Sequence, residues 1–308
     1  VRPLLIDTDT ASDDAVALVM ALRDPGVDVE AITVVAGNVA LDQAVQNALY
    51  TVELCGASTP VFAGRSAPLL RSLTTAQFVH GNDGMGDIGL ALSGREPAAG
   101  RAVDVILDVA ERRRRELTMV TLGPLTNVAV ALLREPELAR WVGHCYVMGG
   151  TSDNVGNMGV VGEFNVWVDP EAARIVFESG MPITMIGWDI SRKYAVISHA
   201  EQDRWRAIDT DLARFCLDIQ TVVDSFAIGQ THLAGFDLPD PIAMAVALDE
   251  SVIGESVQRF VTVETGDGPS RGQTVIDHFG MLDRPATTRV VTAADPDRFR
   301  ELLYRSMR

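Results

Sequence analysis

The amino-acid sequence predicts an α/β fold built on a mainly parallel, open, twisted sheet with helices on both faces. Short apolar runs alternate with helix-period patterns through the first two thirds of the chain, the mark of parallel strands joined by crossover helices. The runs are largely apolar and often β-branched, as strands covered on both faces must be. Polar clusters follow the runs, and in such sheets binding groups collect at the carboxyl ends of strands.

Residues 3–6, 29–35, 117–122, 145–148 and 183–186 read as buried strands. Between them, residues 13–22, 41–54, 102–115, 125–133 and 170–179 repeat apolar side chains at helical spacing. Residues 198–248 read as helical, interrupted at 235–241 by Gly, Pro and Asp. Three β-like runs at 260–263, 273–276 and 289–291 precede a last helix at 297–304. With no repeat, low-complexity tract or linker, residues 1–308 are expected to form a single domain. The run of four arginines at 112–115 reads as a solvated helix end favoured by the helix dipole, with no functional role.

A formal charge of −16 opposes binding to nucleic-acid phosphates or anionic lipid, so neither is expected as a partner. A metal ion, or a small neutral or cationic ligand, suits this balance better. Cys55, Cys145 and Cys216 are far apart in apolar sequence and read as reduced core residues of a cytoplasmic protein. The chain enters its first strand without a basic segment or apolar signal core, and its apolar stretches are too short for a membrane span.

The densest chemical signal is Asp7-Thr8-Asp9-Thr10-Ala11-Ser12-Asp13-Asp14, directly after the first strand. Carboxylates that converge without a counter-ion repel one another and are costly to desolvate. A capped helix, with Ser12 or Asp13 as the N-cap, accounts for one or two of these acids but not for four. A hard divalent cation accounts for all of them, and oxygen donors favour Ca²⁺ or Mg²⁺ over zinc.

Asp7-Thr8-Asp9 with Asp13-Asp14-Ala15 resembles the opening signature of the inosine-uridine-preferring nucleoside hydrolases. The resemblance runs on through Gly37-Asn38, Val79-His80-Gly81, Leu122-Gly123-Pro124-Leu125-Thr126-Asn127, Met148-Gly149-Gly150, Glu163-Phe164-Asn165, Asp240-Pro241 and Arg271-Gly272-Gln273. It implies a nucleoside-hydrolase-like fold and hydrolysis of a ribonucleoside to ribose and free base, with the protein a homodimer or homotetramer. It further implies that Asp9, Asp14, Asp240 and the backbone carbonyl of Leu122 hold Ca²⁺, with Asp9 also the general base toward a metal-bound water. Asp7 would orient the site from behind. Asp13, Asn38 and Asn165 would bind the ribose 2′- and 3′-hydroxyls, and Asn157 and Glu163 the 5′-hydroxyl. His80 would line the base pocket, whereas Asn127, just inside a helix, reads as structural.

One position departs from the pattern. Many family members carry a histidine before the last metal-binding aspartate, to protonate the departing base; here it is Pro239, which cannot donate a proton. The substitutes available nearby are His232, with Phe78, Phe226 or Phe236 as stacking partners; Trp188 reads as core with stacking as its alternative use. Two rival functions follow from the residues. The loss of the histidine suits a nucleoside- or ribose-binding protein with weak or no turnover. The Asp-Thr-Asp run also resembles the haloacid-dehalogenase-type phosphatases, which need a lysine at the phosphoryl site, and Lys193 is the only lysine in the chain.

Overall fold

In the computed structural model, which describes residues 1–227, 229 and 233–308, the strands are β1 (Arg2–Thr8), β2 (Val27–Val34), β3 (Val61–Ala63), β4 (Thr118–Thr121), β5 (His144–Met148), β6 (Ile183–Ile186), β7 (Val196–Ser198), β8 (Gly235–Asp237), β9 (Ile253–Val263), β10 (Thr274–Asp277) and β11 (Thr288–Ala294). Nine of them form one sheet in the order β10-β9-β11-β6-β5-β4-β1-β2-β3. From β11 to β3 every pairing is parallel, and β9 alone runs against its neighbours β11 and β10. The mainly parallel sheet read from the sequence is thus present.

Alternation along β1 shows why the sheet needs cover on both sides. Leu4 and Ile6 enter one apolar core while Leu5 enters the other, as successive strand residues must. Helices on each face supply the rest of both cores. The chain winds outward through β2 and β3 on one side of β1 and through β4, β5 and β6 on the other. Loops leaving β1 and β4 therefore diverge, opening a crevice at the carboxyl ends of these two strands.

Two helices face that crevice with their first turns. Helix Ser12–Leu22 is buried from Ser12 to Ala21, and helix Pro239–Leu248 is buried from Asp240 to Ala247. They pack on one another, and being apolar on every side they are core helices rather than surface ones. Asp13, Asp14 and Asp240 are thereby carried into the interior.

The fold differs from the sequence reading where elements are shortest. β3, β7 and β8 have three residues each, too few to show periodicity. β7 and β8 pair antiparallel, β7 at the start of the region expected to be helical and β8 in its expected interruption at 235–241. The arginine run does not simply end in solvent: Arg112 and Arg113 pair with the largely buried Glu30 of β2, and the helix stops at Arg113 because Arg114 turns to φ 43°. Cys145 and Cys216 are buried, Cys55 is half-buried, and all three are free. Among the described residues no helix is long and apolar enough to cross a membrane.

Asn127 proves to be a structural clasp. Its amide donates to Asp7 Oδ1 on β1 at 2.8 Å and to the Val34 carbonyl on β2 at 3.1 Å, and its oxygen accepts from the Arg65 amide at 2.9 Å. The contacts to Asp7 and Val34 are buried, and Asp7 relies on them: burial pushes the Asp7 carboxyl up to about 7, against the donors Asn127 and Thr33. Asn127→Ala should cost on the order of 2–3 kcal/mol in urea unfolding, because it strands buried polar groups. A loss under about 0.5 kcal/mol, the level of an ordinary surface change, would contradict this.

Candidate active site and metal centre

β1 ends in the crevice and delivers its acids in register. Asp7 still lies within the strand, with its side chain turned to Thr33 and Asn127. Asp9 follows, fully buried, with Oδ2 accepting the Asn38 amide at 2.6 Å and Oδ1 without a hydrogen-bond partner. The backbone packs tightly around it. A Cβ on Gly37 would lie 2.1 Å from Asp9 Oδ2, and one on Gly123 would lie 2.7 Å from Oδ1. Those two glycines are what the close approach of three chain segments requires.

Asp14 closes the first turn of its helix, accepting from Thr8 Oγ1 at 2.5 Å and from the Ala11 amide at 2.9 Å. Oxygens of Asp13, Asp14 and Asp240 lie within 4.8 Å of one another. Burial raises Asp14 to about 7, with repulsion from Asp13 adding to it. Burial likewise raises Asp9 and Asp240 well above the carboxylate range, with the charges of neighbouring aspartates next in size. Two ionised carboxylates this close, with no donor between them, repel one another. Among the described residues no lysine or arginine pairs with any of these acids. The nearest cationic candidate, His80, has Nδ1 3.7 Å from Asp13 Oδ1 and is held toward its neutral form by burial, against the pull of Asp13.

The cluster therefore needs either protons or a cation. Unpartnered buried oxygens on Asp9 and Asp13, beside an all-oxygen set from Asp13, Asp14 and Asp240, fit a hard divalent ion of the Ca²⁺ type. Asp13, which the sequence reading gives to the ribose, is geometrically part of this group. Leu122 lies at the same place, although its carbonyl accepts the Asn165 amide at 2.7 Å; a carbonyl has a second lone pair for another partner.

Above the acids lies a cleft with two unlike halves. The inner half is polar, lined by Asp13, Asn38, Leu122, Glu163, Asn165 and Asp240. The outer half is largely apolar, with Phe78, Met158, Trp188, Val223 and Phe226 around it. Asp13, Asn38, His80, Asn157, Phe164 and Pro239 line both. Asp9 and Asp14 have no exposed surface and lie behind this lining.

Several expectations are refined by contacts the sequence does not display. Glu163 caps helix Phe164–Val168, accepting from the amides of Gly150, Asn165 and Val166 at 2.8, 3.0 and 3.2 Å. Burial raises it to about 7 despite those donors. Asn157 uses its oxygen on the Phe164 amide at 2.8 Å. His80 is fixed by Ser12 Oγ at 2.8 Å, a partner the sequence reading treats only as a helix cap. Phe78 and Phe226 flank the cleft edge to face, with centroids 5.8 Å apart. Trp188 is both buried and part of the wall. Phe236 instead packs on Trp205 in the core and does not line the cleft, because β8 turns it inward. His232 lies outside the described residues. Lys193 pairs with Asp153 at 3.0 Å, away from the strand-end acids, which removes the lysine a phosphatase would need there. Asp237, which lines the outer half, is the acid that sequence reasoning misses.

Known proteins match the chain along its length. The family model for the inosine-uridine preferring nucleoside hydrolases matches residues 4–301. A pyrimidine-specific ribonucleoside hydrolase, RihA of Enterobacter sp. (strain 638), is 35% identical, covering 98% of this chain and 96% of its own. Among solved structures, a purine-preferring ribonucleoside hydrolase from Gardnerella vaginalis superposes with a TM-score of 0.92 at 32% identity, over 99% of this chain and 98% of its own.

The crowded acids set a stability test that needs no substrate. Asp14 has a folded-state pKa of about 7 and an ordinary value of 3.8, so between these values the folded chain holds a proton that the unfolded chain has lost. Stability must then fall as pH rises through that interval. Chelator-treated protein should melt at progressively lower temperature from about pH 5 to about pH 8, and added Ca²⁺ should restore stability chiefly at the upper end. Melting curves that stay flat or rise with pH, or that ignore Ca²⁺, would contradict the cluster as described.

Proposed function

The chain belongs to the inosine-uridine preferring nucleoside hydrolase family, and from that premise we propose that it is a calcium-dependent N-ribohydrolase using Asp9 as its general base. Hydrolysis of ribonucleosides comes with the family. The observation that carries the finer reading is the pair of buried, unpartnered oxygens on Asp9 and Asp13 beside a set of aspartates that no lysine or arginine among the described residues pairs with.

Asp9, Asp14 and Asp240, with the Leu122 carbonyl and with Asp13 close by, would hold the ion. When bound, Ca²⁺ supplies Lewis acidity toward a water and toward the vicinal hydroxyls of the sugar. Asp9 is rigid, since Asn38 and the flanking glycines leave it one position, and its free oxygen takes the proton as the water oxygen bonds to C1′. The C1′–N bond breaks with its electron pair leaving on the base, which is then protonated. Positive charge builds on the ribose ring in this step, and ionised acids around the inner cleft stabilise it.

Asp13, Asn38 and Asn165 on the inner lining are suited to the 2′- and 3′-hydroxyls, with Asn157 and Glu163 further along for the 5′-hydroxyl. Glu163 and Asn165 are locked by their own hydrogen bonds, so they meet the sugar preorganised. The apolar outer half is the natural seat of the base. Pro239 lines that seat without a proton to give, so the departing base depends on another donor or on solvent.

Assay of sugar release from a ribonucleoside panel, before and after chelation, tests this reading. Ribose and free base should appear, stop with chelator and return with Ca²⁺; full activity in chelator would overturn the metal dependence, and binding without sugar release would favour the binding-protein alternative. Loss of one buried hydroxyl contact costs about 1–3 kcal/mol, so 2′-deoxynucleosides should be cleaved at least roughly tenfold less efficiently than ribonucleosides. Equal turnover of inosine and 2′-deoxyinosine would contradict the roles given to Asp13 and Asn165.

A further inference from the structure

We propose that Asp237 reads the leaving base, accepting a hydrogen bond from an N–H on the edge of the nucleobase remote from the sugar. The inference rests on the nucleosidase reading and concerns the outer half of the cleft, which Asp9, Asp14 and Asp240 do not line. Asp237 ends β8, where pairing with Val196 of β7 fixes its backbone. It lines the outer cleft beside Phe78, Trp188, Phe226 and Pro239.

One donor holds the carboxylate: Ser191 Oγ lies 2.6 Å from Asp237 Oδ2. Ser191 belongs to helix Trp188–Tyr194, which also carries Trp188 in the cleft wall, so brace and wall are one rigid element. A carboxylate accepts about four hydrogen bonds, and those left over are available on the cleft side. Among the described residues no lysine, arginine or histidine pairs with it.

The outer half is thus a mostly apolar slot with aromatic walls and a fixed acceptor in it. A planar ring entering such a slot strips water from the carboxylate, and that loss is recovered only if the ring brings a donor. Uracil offers N3–H and hypoxanthine N1–H at the edge away from the glycosidic nitrogen. Methylation of those nitrogens removes the donor and leaves the scissile bond intact. Relatives of comparable similarity carry names specifying pyrimidine and purine substrates, so ring size is not what such an acceptor would sort. It would sort bases by the presence of the donor.

The test compares uridine with 3-methyluridine and inosine with 1-methylinosine, with p-nitrophenyl riboside as a substrate that has no N–H donor. In the wild-type enzyme with Ca²⁺, each methylated nucleoside should lose roughly tenfold or more in kcat/KM. Asp237→Asn keeps an oxygen for Ser191 and turns an amide toward the base. It should raise KM for uridine roughly tenfold with kcat within about threefold, bring the uridine to 3-methyluridine ratio near one, and leave the nitrophenyl riboside unchanged. Ser191→Ala, which loosens the brace, should shift KM in the same direction by less. Equal kcat/KM for the methylated and parent nucleosides in the wild-type enzyme overturns the proposal without any variant. So does an Asp237→Asn enzyme of normal melting temperature that keeps the full discrimination, which would trace it to the bulk of the methyl group. In both cases cleavage of the nitrophenyl riboside leaves the nucleosidase reading standing; failure to cleave it or any ribonucleoside overturns both.

Discussion

Mutual repulsion among four buried aspartates is the constraint on which the site depends. Asp9, Asp13, Asp14 and Asp240 are held within reach of one another where water cannot screen them, and burial of unneutralised carboxylates is among the costliest arrangements a fold can hold. The protein tolerates it because the surrounding frame is rigid. Two helices buried on all sides fix three of the acids, and a central strand whose neighbours diverge fixes the fourth. Donors within the frame reach some oxygens and leave others bare, and the charge of the cluster is left to protons or a cation to balance.

From this follows the division of the cleft. The inner half is built from groups locked by backbone contacts, such as Glu163 at its helix cap and Asn165 against Leu122, and such groups suit an invariant sugar. The outer half is assembled from more distant pieces of chain: Phe78, the helix at Trp188, the end of β8 and Phe226. Side chains there can change without disturbing the acids. Pro239 sits on the boundary and lines both.

How much of this is legible in the sequence depends on how locally each feature is encoded. The strand and acid cluster at residues 7–14 stand out because four carboxylates in one short segment have no ordinary structural use. The parallel sheet is equally visible, since strands buried on two faces must be apolar throughout. Asp240 is different: nothing near it marks it as a partner of Asp14, and it is reached only through resemblance. Asp237 escapes altogether, because its meaning lies in the Ser191 hydrogen bond and the cleft it shares with Trp188, which only tertiary structure brings to it. Phe236, its neighbour, is misjudged for the complementary reason: whether a strand residue faces cleft or core is decided by a register that three residues cannot reveal. Asn127 shows the opposite outcome, since its place just inside a helix correctly suggested a structural role while its three partners stayed hidden.

The most direct measurement of the central claim is calcium binding to chelator-treated protein by titration calorimetry near pH 7, repeated in buffers of different ionisation enthalpy. Acids that hold protons for want of a counter-ion must give them up when the ion arrives. The account predicts one tight Ca²⁺ site per chain, with net proton release. Absence of a tight site, or tight binding with no proton released, would contradict it.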